Sequence, residues 1–427
     1  MNVEGFSNML ESCLTFEPGF YDFRESQLFD DEQRVYVLGR EFAGKEDHEV
    51  LKKCVSSLLW FTYRKNFPPI GGIGPTSDQG WGCMLRCAQM LMAHTLTVRH
   101  LGRSWQWSSA ESKNGTYLSI LKMFQDRKDS LYSLHQIAQM GVSNKRKVGD
   151  WFGPNTAAQV LKKLAIFDDW SRISVHVALD NVLVHNDVRL MAYTKPPQTK
   201  ICNASSDREA PEEKSRANEP EKNSSNMGNG ETNLESEWRP LLIIVPLRLG
   251  LREINRCYIP AFQELFKLSQ FAGILGGRPN HALYIVGMAG QKMIYLDPHY
   301  CQLAVDTGDV ENVDGNGTPT ESNEQMPLDD STFHCPYMLH ANYSSLDPSL
   351  AVAFICLNEA DYSDLCSRLE ENVLKESPAL FHLMEKRPKG FPKFVPYSGL
   401  NEKVQIQEFW DLGDPQYNSD EDFELLE

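Results

Sequence analysis

Apolar positions along the 427-residue chain follow two periods. Residues 49–60 (EVLKKCVSSLLW) place them three and four apart, the spacing of an amphipathic helix, and 84–97 (MLRCAQMLMAHTLT) repeats that spacing after a glycine-rich approach. A further helix is predicted over 156–165 (TAAQVLKKLA), after the loop GDWFGPN. Strands are predicted at 173–178 (ISVHVA) and 241–247 (LLIIVPL), followed by a helix over 259–268. Residues 281–286 and 293–296 read as a hairpin joined by GMAGQK, 351–357 (AVAFICL) as another strand, and 361–374 as a helix. Helices and strands come in clusters rather than in strict βαβ alternation, which favours an α+β fold.

Two stretches carry neither period. Residues 195–237 are rich in Pro, Ser, Asn, Glu and Lys with almost no aliphatics, and 306–330 (DTGDVENVDGNGTPTESNEQMPLDD) is similar. Such segments cannot bury enough apolar surface to offset their ordering entropy, so both are expected to be disordered insertions. Each is bounded by strand signals, as expected of surface insertions in one fold rather than linkers between two. The expected organisation is a flexible segment over 1–34, one domain over 35–410 holding both insertions, and an acidic tail over 411–427.

Charge sharpens this picture. The 58 acidic and 42 basic residues leave a net charge of −16. Residues 195–238, 306–330 and 411–427 together carry −18, so the remaining body is near neutral, at about +2. The acidic balance argues against nucleic acid as a partner. No apolar run approaches the roughly 20 residues of a membrane span, and the first residues lack a basic stretch leading into an apolar one. A soluble, cytoplasmic protein is expected.

In that compartment the ten cysteines should be reduced thiols, most of them small buried hydrophobes. None forms a Cys-x-x-Cys pair, and Cys83 and Cys87, one helical turn apart, have no His-x-x-x-His partner, so no metal site is expected. Cys83 stands out because GGIGPTSDQGWG, residues 71–82, leads straight into it and then into an apolar helix. Glycine-rich backbone lets the chain turn sharply and presents the first helical side chain to the positive end of the helix dipole. That lowers a thiol's pKa and makes it a nucleophile. Two readings of Cys83 stand on this pattern, a nucleophile or a second core cysteine beside Cys87, for which core packing is the better reading.

A thiol nucleophile needs a base and an orienter. Of the eleven histidines, His94, His176 and His185 fall in apolar or amphipathic segments and read as structural. His334, in FHCP, has no acid beside it in a defined geometry. His299, in IYLDPHY, follows Asp297 by two residues at a strand end, and strand residues two apart share a face. An Asp-Pro turn with a solvated His is the plainer reading of that local pattern.

Longer blocks are more specific. Residues 60–89, WFTYRKNFPPIGGIGPTSDQGWGCMLRCAQ, resemble the active-site region of the autophagins, the autophagy-related cysteine proteases. WFGPNT (151–156), GGRPN (276–280) with YLDPH (295–299), and TFHCP (332–336) leading to LDPS (346–349) agree in the same order. The resemblance runs from about Val35 to the acidic C-terminus and is interrupted by the two insertions. Gln79 departs from it, standing where relatives carry a smaller residue, and the first insertion is longer than in compact members.

The resemblance implies a papain-like fold with a small accessory subdomain and a Cys83–His299–Asp297 triad. It also implies Tyr63 as an oxyanion donor with the Cys83 amide, and Trp151 and Pro279 as gates of a groove narrow enough to favour glycine. No cofactor is implied. The implied substrate is an autophagy ubiquitin-like modifier of the GABARAP type. It would be trimmed after its C-terminal glycine and released from phosphatidylethanolamine by a monomeric enzyme that meets membranes only transiently, through substrate. In the tail, SDEDFELL (419–426) resembles the family's modifier-interacting motif, with Phe423 and Leu426 as anchors of an added strand. The alternatives are a catalytically weak modifier-binding protein of the same fold, against which the intact Cys83, His299, Asp297 and Tyr63 count, and a deubiquitinase on the same scaffold.

Overall fold

The computed structural model describes residues 34–111, 114–193, 237–278, 281–305, 330–343, 346–375 and 377–396. Most of both expected insertions, the 1–34 segment apart from its last residue, and the whole acidic tail with Phe423 and Leu426 lie outside these residues, as does Pro279.

The chain opens with the hairpin β1 (Arg34–Val37) and β2 (Arg40–Ala43), then helix α1 (His48–Ser56) and the short strand β3 (Tyr63–Lys65). The long helix α2 (Cys83–His100) follows, then α3 (Gly115–Lys122), α4 (Leu134–Val142) and α5 (Pro154–Leu164). Strands β4 (Ser174–Val177) and β5 (Val182–Val184) precede α6 (His185–Ala192); β6 (Leu241–Arg248) then leads to α7 (Ile259–Leu265). Next come β7 (Phe271–Arg278), β8 (His281–Ala289), β9 (Lys292–Leu296) and β10 (Cys301–Leu303). The last elements are β11 (Leu339–Asn342), β12 (Ser349–Cys356), α8 (Glu359–Arg368) and β13 (His382–Met384).

A nine-stranded sheet in the order β11-β9-β8-β7-β12-β6-β4 forms the centre, with β1 and β2 added alongside β8. All pairs in it are antiparallel except β4 with β6. Strands β6 and β12 match over eight residues, from Leu241↔Cys356 to Arg248↔Ser349. Strand β8 is buried along its whole length, and β7 up to Arg278. Both are therefore covered on two faces, which explains their unbroken apolar runs. Helix α2 packs on β7 and β8, and α5 on β4, β6 and β12. Most of α2 is itself buried, including Met84, Leu85, Leu91 and Leu96. It is a core helix around which α3, α4 and α5 gather.

The α+β expectation holds, with shifted boundaries. The predicted 281–286 strand extends to Ala289, and the predicted 361–374 helix starts at Glu359 and gives way to a π turn over Leu369–Val373. Helix α5 begins two residues earlier than predicted, since Gly153 leaves regular backbone and Pro154, with its fixed φ and missing donor, suits the first turn.

Candidate active site

Three segments converge at the N-terminus of α2. Cys83 is its first residue and is 1% exposed. Residues 60–63 are laced to 297–298: the Trp60 indole N–H donates to the Asp297 carbonyl (2.7 Å), and the Tyr63 amide donates to the Pro298 carbonyl (2.8 Å). Strand β3 then runs parallel to β10, with Tyr63 opposite Cys301. The third segment is the start of β8, paired with the end of β9.

Asp297 and His299 meet, although not by strand alternation. Strand β9 ends at Leu296. In the turn beyond it Asp297 Oδ1 accepts from both the His299 amide (2.9 Å) and His299 Nδ1 (2.6 Å). The short carboxylate closes over its own Asp-Pro turn, as Asp side chains do, and so fixes which imidazole nitrogen carries the proton toward it. The remaining nitrogen, Nε2, is buried without a hydrogen-bond partner, and the imidazole and the Cys83 thiol lie close enough to shift one another's pKa.

Burial by itself disfavours every charge in this cluster. For Cys83 it works to raise the pKa, but the His299 hydrogen bond and charge, the Ala282 amide and the Trp151 indole outweigh it, and the net shift is downward. Burial would likewise lower His299, yet Asp297 and Cys83 push it up to about 9. Asp297 is held below the ordinary carboxylate range because its imidazole partners, chiefly His299, overcome desolvation. The Tyr63 phenol is pushed far up by burial and by the neighbouring Cys83 sulfur, so it stays protonated as a donor. Its ring stands edge-on to His299 with centroids 5.3 Å apart. The two opposite shifts favour a thiolate–imidazolium pair among N–H and O–H donors, a buried environment suited to attack on a carbonyl and to stabilising the resulting oxyanion.

The structure therefore brings Cys83, His299, Asp297, Tyr63 and Trp151 together. Cys87, one turn along α2, is completely buried, and burial raises its pKa well above that of a free thiol. His94 and His176 are driven down to about 3 by burial, as suits structural imidazoles. His334 accompanies an acid after all: the Tyr117 hydroxyl bridges His334 Nε2 (2.8 Å) and Asp330 Oδ2 (2.9 Å), while His334 Nδ1 meets the Ser56 carbonyl. Burial lowers its pKa to about 4, and none of these partners belongs to the Cys83 cluster. Gln79 is exposed, with its backbone N–H donating to Ser77 Oγ.

One residue at the site escapes sequence reasoning. His281, which opens β8, lies on the face of His299, and its Nε2 is 3.8 Å from Asp297 Oδ2. Burial and the neighbouring imidazolium lower its pKa to about 4, so it is neutral. Its only sequence signal is its place directly after GGRPN. His281, Asp297 and His299 bring their ligating atoms within 4.8 Å of one another, but parallel stacked rings aim their in-plane lone pairs side by side. His299 Nδ1 is also already engaged, so the trio suits stacking rather than chelation.

A Cys–His–Asp cluster of this kind suits acyl transfer through a thioester, as in cysteine peptidases, and comparison with known proteins gives that class. Residues 48–368 match the peptidase C54 catalytic domain. The chain is 42% identical over 412 residues to "Cysteine protease ATG4A" of Homo sapiens, covering 95% of this chain and 96% of that protein. It is 42% identical over 412 residues to the ATG4A of Bos taurus, with the same coverage. To "Cysteine protease ATG4B" of Gallus gallus it is 40% identical over 421 residues, 97% of each chain. The chain belongs to the peptidase C54 family, the autophagins whose motifs it carries.

Proposed function

We propose that this cysteine peptidase cuts autophagy ubiquitin-like modifiers of the GABARAP type after their C-terminal glycine. It would also cleave the amide that joins the same glycine to phosphatidylethanolamine. The observation that carries the reading is the Asp297–His299 hydrogen bond beside Cys83, the first residue of a buried helix, with His299 and Cys83 shifting one another's pKa. Cys83 Sγ attacks the glycine carbonyl carbon while the Tyr63 phenol and the Cys83 amide receive the oxyanion. The amide C–N bond then breaks, the His299 proton passes to the departing amine, and a thioester remains. Water attacks that thioester, gives its proton to His299, and releases the glycine carboxylate as the thiolate returns. Both substrates present the same acyl group, so one site serves both.

In this reading Trp151 and Pro279 gate the groove, and the tail anchors Phe423 and Leu426 capture the modifier by strand addition. No helix among the described residues is long and apolar enough to cross a membrane. That is compatible with a cytoplasmic enzyme that reaches lipidated substrate through the modifier itself.

The test is cleavage of a modifier bearing a C-terminal extension after its glycine, followed by gel, with Cys83→Ala and Cys87→Ser beside the wild type. Cleavage at the glycine that is lost in Cys83→Ala and kept in Cys87→Ser supports the reading. Cleavage that survives Cys83→Ala, or a wild type that binds without cutting, overturns it. Vesicles carrying the modifier on phosphatidylethanolamine test the second activity in the same way.

A further inference from the structure

Tyr63 and Cys83 sit on different elements, 20 positions apart in sequence, yet the proposed chemistry needs their phenol and sulfur in register. One side chain spans the gap. Asp78 is completely buried. Its Oδ1 accepts from the backbone N–H of Arg64, the residue after Tyr63 (2.6 Å). Both its oxygens also accept from Arg86, on the first turn of α2: Oδ2 from Nε (2.8 Å) and Oδ1 from a terminal nitrogen (3.1 Å). The Asp78 carbonyl receives the amides of Trp81 (3.2 Å) and Gly82 (2.8 Å), and Gly82 caps the helix immediately before Cys83. A Cβ on Gly82 would lie 2.3 Å from Asp78 Oδ2, so the chain passes the carboxylate only as glycine.

Both ends of this bridge are anchored. Arg86 also donates to Asp126 Oδ1 (2.8 Å) and Gln89 Oε1 (3.0 Å). The buried Arg64 guanidinium donates to the carbonyls of Leu303 (2.9 Å) and Thr332 (3.0 Å) and lies over the Phe333 ring. A buried bidentate pair with every partner satisfied is rigid, and removing one member leaves an uncompensated charge.

We infer that Asp78 is a positioning residue for the reaction. By holding the Arg64 amide and the first turn of α2 on one carboxylate, it sets the separation of the Tyr63 phenol from the Cys83 sulfur. The inference rests on the proposed roles of Tyr63 and Cys83. It places specificity for reaction geometry in a side chain that touches neither substrate nor sulfur.

The test is a double-mutant cycle on cleavage of the extended modifier. Asp78→Asn keeps the shape and the acceptor for the Arg64 amide but turns an N–H toward Arg86. It should lower kcat on the order of 100-fold with KM little changed, the scale of a misplaced reacting group. Tyr63→Phe should cost about 100-fold as the loss of one oxyanion donor. If Asp78 acts by placing Tyr63 against Cys83, the two losses overlap and the double variant falls about 1,000-fold or less. A full product of about 10,000-fold, the mark of independent effects, overturns the inference. Should Asp78→Asn not fold, Arg86→Lys keeps the charge but loses the fork, and it must show the same overlap with Tyr63→Phe. Alkylation of Cys83 by iodoacetamide separates this question from the choice of substrate. Asp78→Asn, or Arg86→Lys in its place, should slow alkylation at neutral pH in the wild-type background, and should do so no further in Tyr63→Phe. Equal slowing in both backgrounds overturns the positioning role even if the modifier is not the substrate.

Discussion

The imidazole of His281 lies flat against that of His299, with ring centroids 3.6 Å apart and planes within 3°. Asp297 fixes the edge of the His299 ring through Nδ1, and Tyr63 meets it edge-on. His281 covers one face of the His299 ring beside the Asp297–His299 contact. His281 needs only a flat ring for this, since it is neutral across the working pH range. His281→Phe should therefore retain most activity. His281→Ala, which opens the face, should lower kcat about tenfold with KM little changed, as expected when positioning rather than binding is lost. Equal losses in the two variants would point to the imidazole nitrogens instead of the stack.

The pH dependence follows from the directions of the two coupled shifts. His299 is raised from 6.5 to about 9, so its imidazolium persists through neutral pH and is lost as pH climbs through that value. Cys83 is lowered from 9.0, so its thiolate is already present below that pH and is lost as pH falls through the depressed value. The reactive ion pair fills the window between, and kcat/KM should be bell-shaped with its basic limb near pH 9. In Cys83→Ala the imidazolium loses the sulfur that helps raise it, so the His299 ring protons should titrate at lower pH by NMR. An unchanged midpoint would mean that Asp297 alone sets it.

Trp151 supplies the second side-chain donor among the causes that lower the Cys83 pKa. Its indole nitrogen is buried without a hydrogen-bond partner, and it works to lower the Cys83 pKa. Trp151→Phe keeps an aromatic wall but removes the N–H. The acid limb of iodoacetamide alkylation should move up by about one to two pH units, the scale of one charge-assisted hydrogen bond. An alkylation profile that superimposes on that of the wild type would limit Trp151 to gating.

How far the sequence exposes this site depends on how local each contact is. Asp297 and His299 are two residues apart and meet through their own turn. Cys83 announces itself by the glycine-rich entry to α2, and α2 itself by its apolar spacing. His281 and Asp78 are legible in neither way. His281 reaches His299 only because β8 pairs with β9. Asp78 has the local pattern of a turn former among glycines, and only folding brings the β3 backbone and the first turn of α2 onto it. The fold shows the same division. Strand β7 is absent from the predicted elements because FAGILGGR holds three glycines, and it is a strand because β8 and β12 flank it on both sides. Helix α4 mixes Gln and Gly into a short window, and its packing against α5 decides it.

Packing beneath the site gives a last prediction, in which two glycine substitutions of the same kind should act in opposite directions. Gly141 sits in α4, and a Cβ there would lie 2.1 Å from the ring tip of Phe152. Phe152 is 1% exposed and is the neighbour of Trp151. Alanine gains about 1 kcal/mol over glycine in a helix interior, but overpacking a filled core costs typically 1–3 kcal/mol or more. Gly141→Ala should therefore be destabilised by up to about 2 kcal/mol in urea unfolding. By pushing Phe152 it should also slow alkylation of Cys83 through Trp151. Gly115, the first residue of α3, has nothing within 4 Å of the corresponding position. Gly115→Ala should stabilise by about 0.4–1 kcal/mol through the unfolded chain and leave alkylation untouched. Because Phe152 is the obstacle, Phe152→Leu in the Gly141→Ala background should recover part of the stability, whereas in the wild-type background it should only weaken the core. A double variant no better than Gly141→Ala alone would place the strain elsewhere in the contact between α4 and α5.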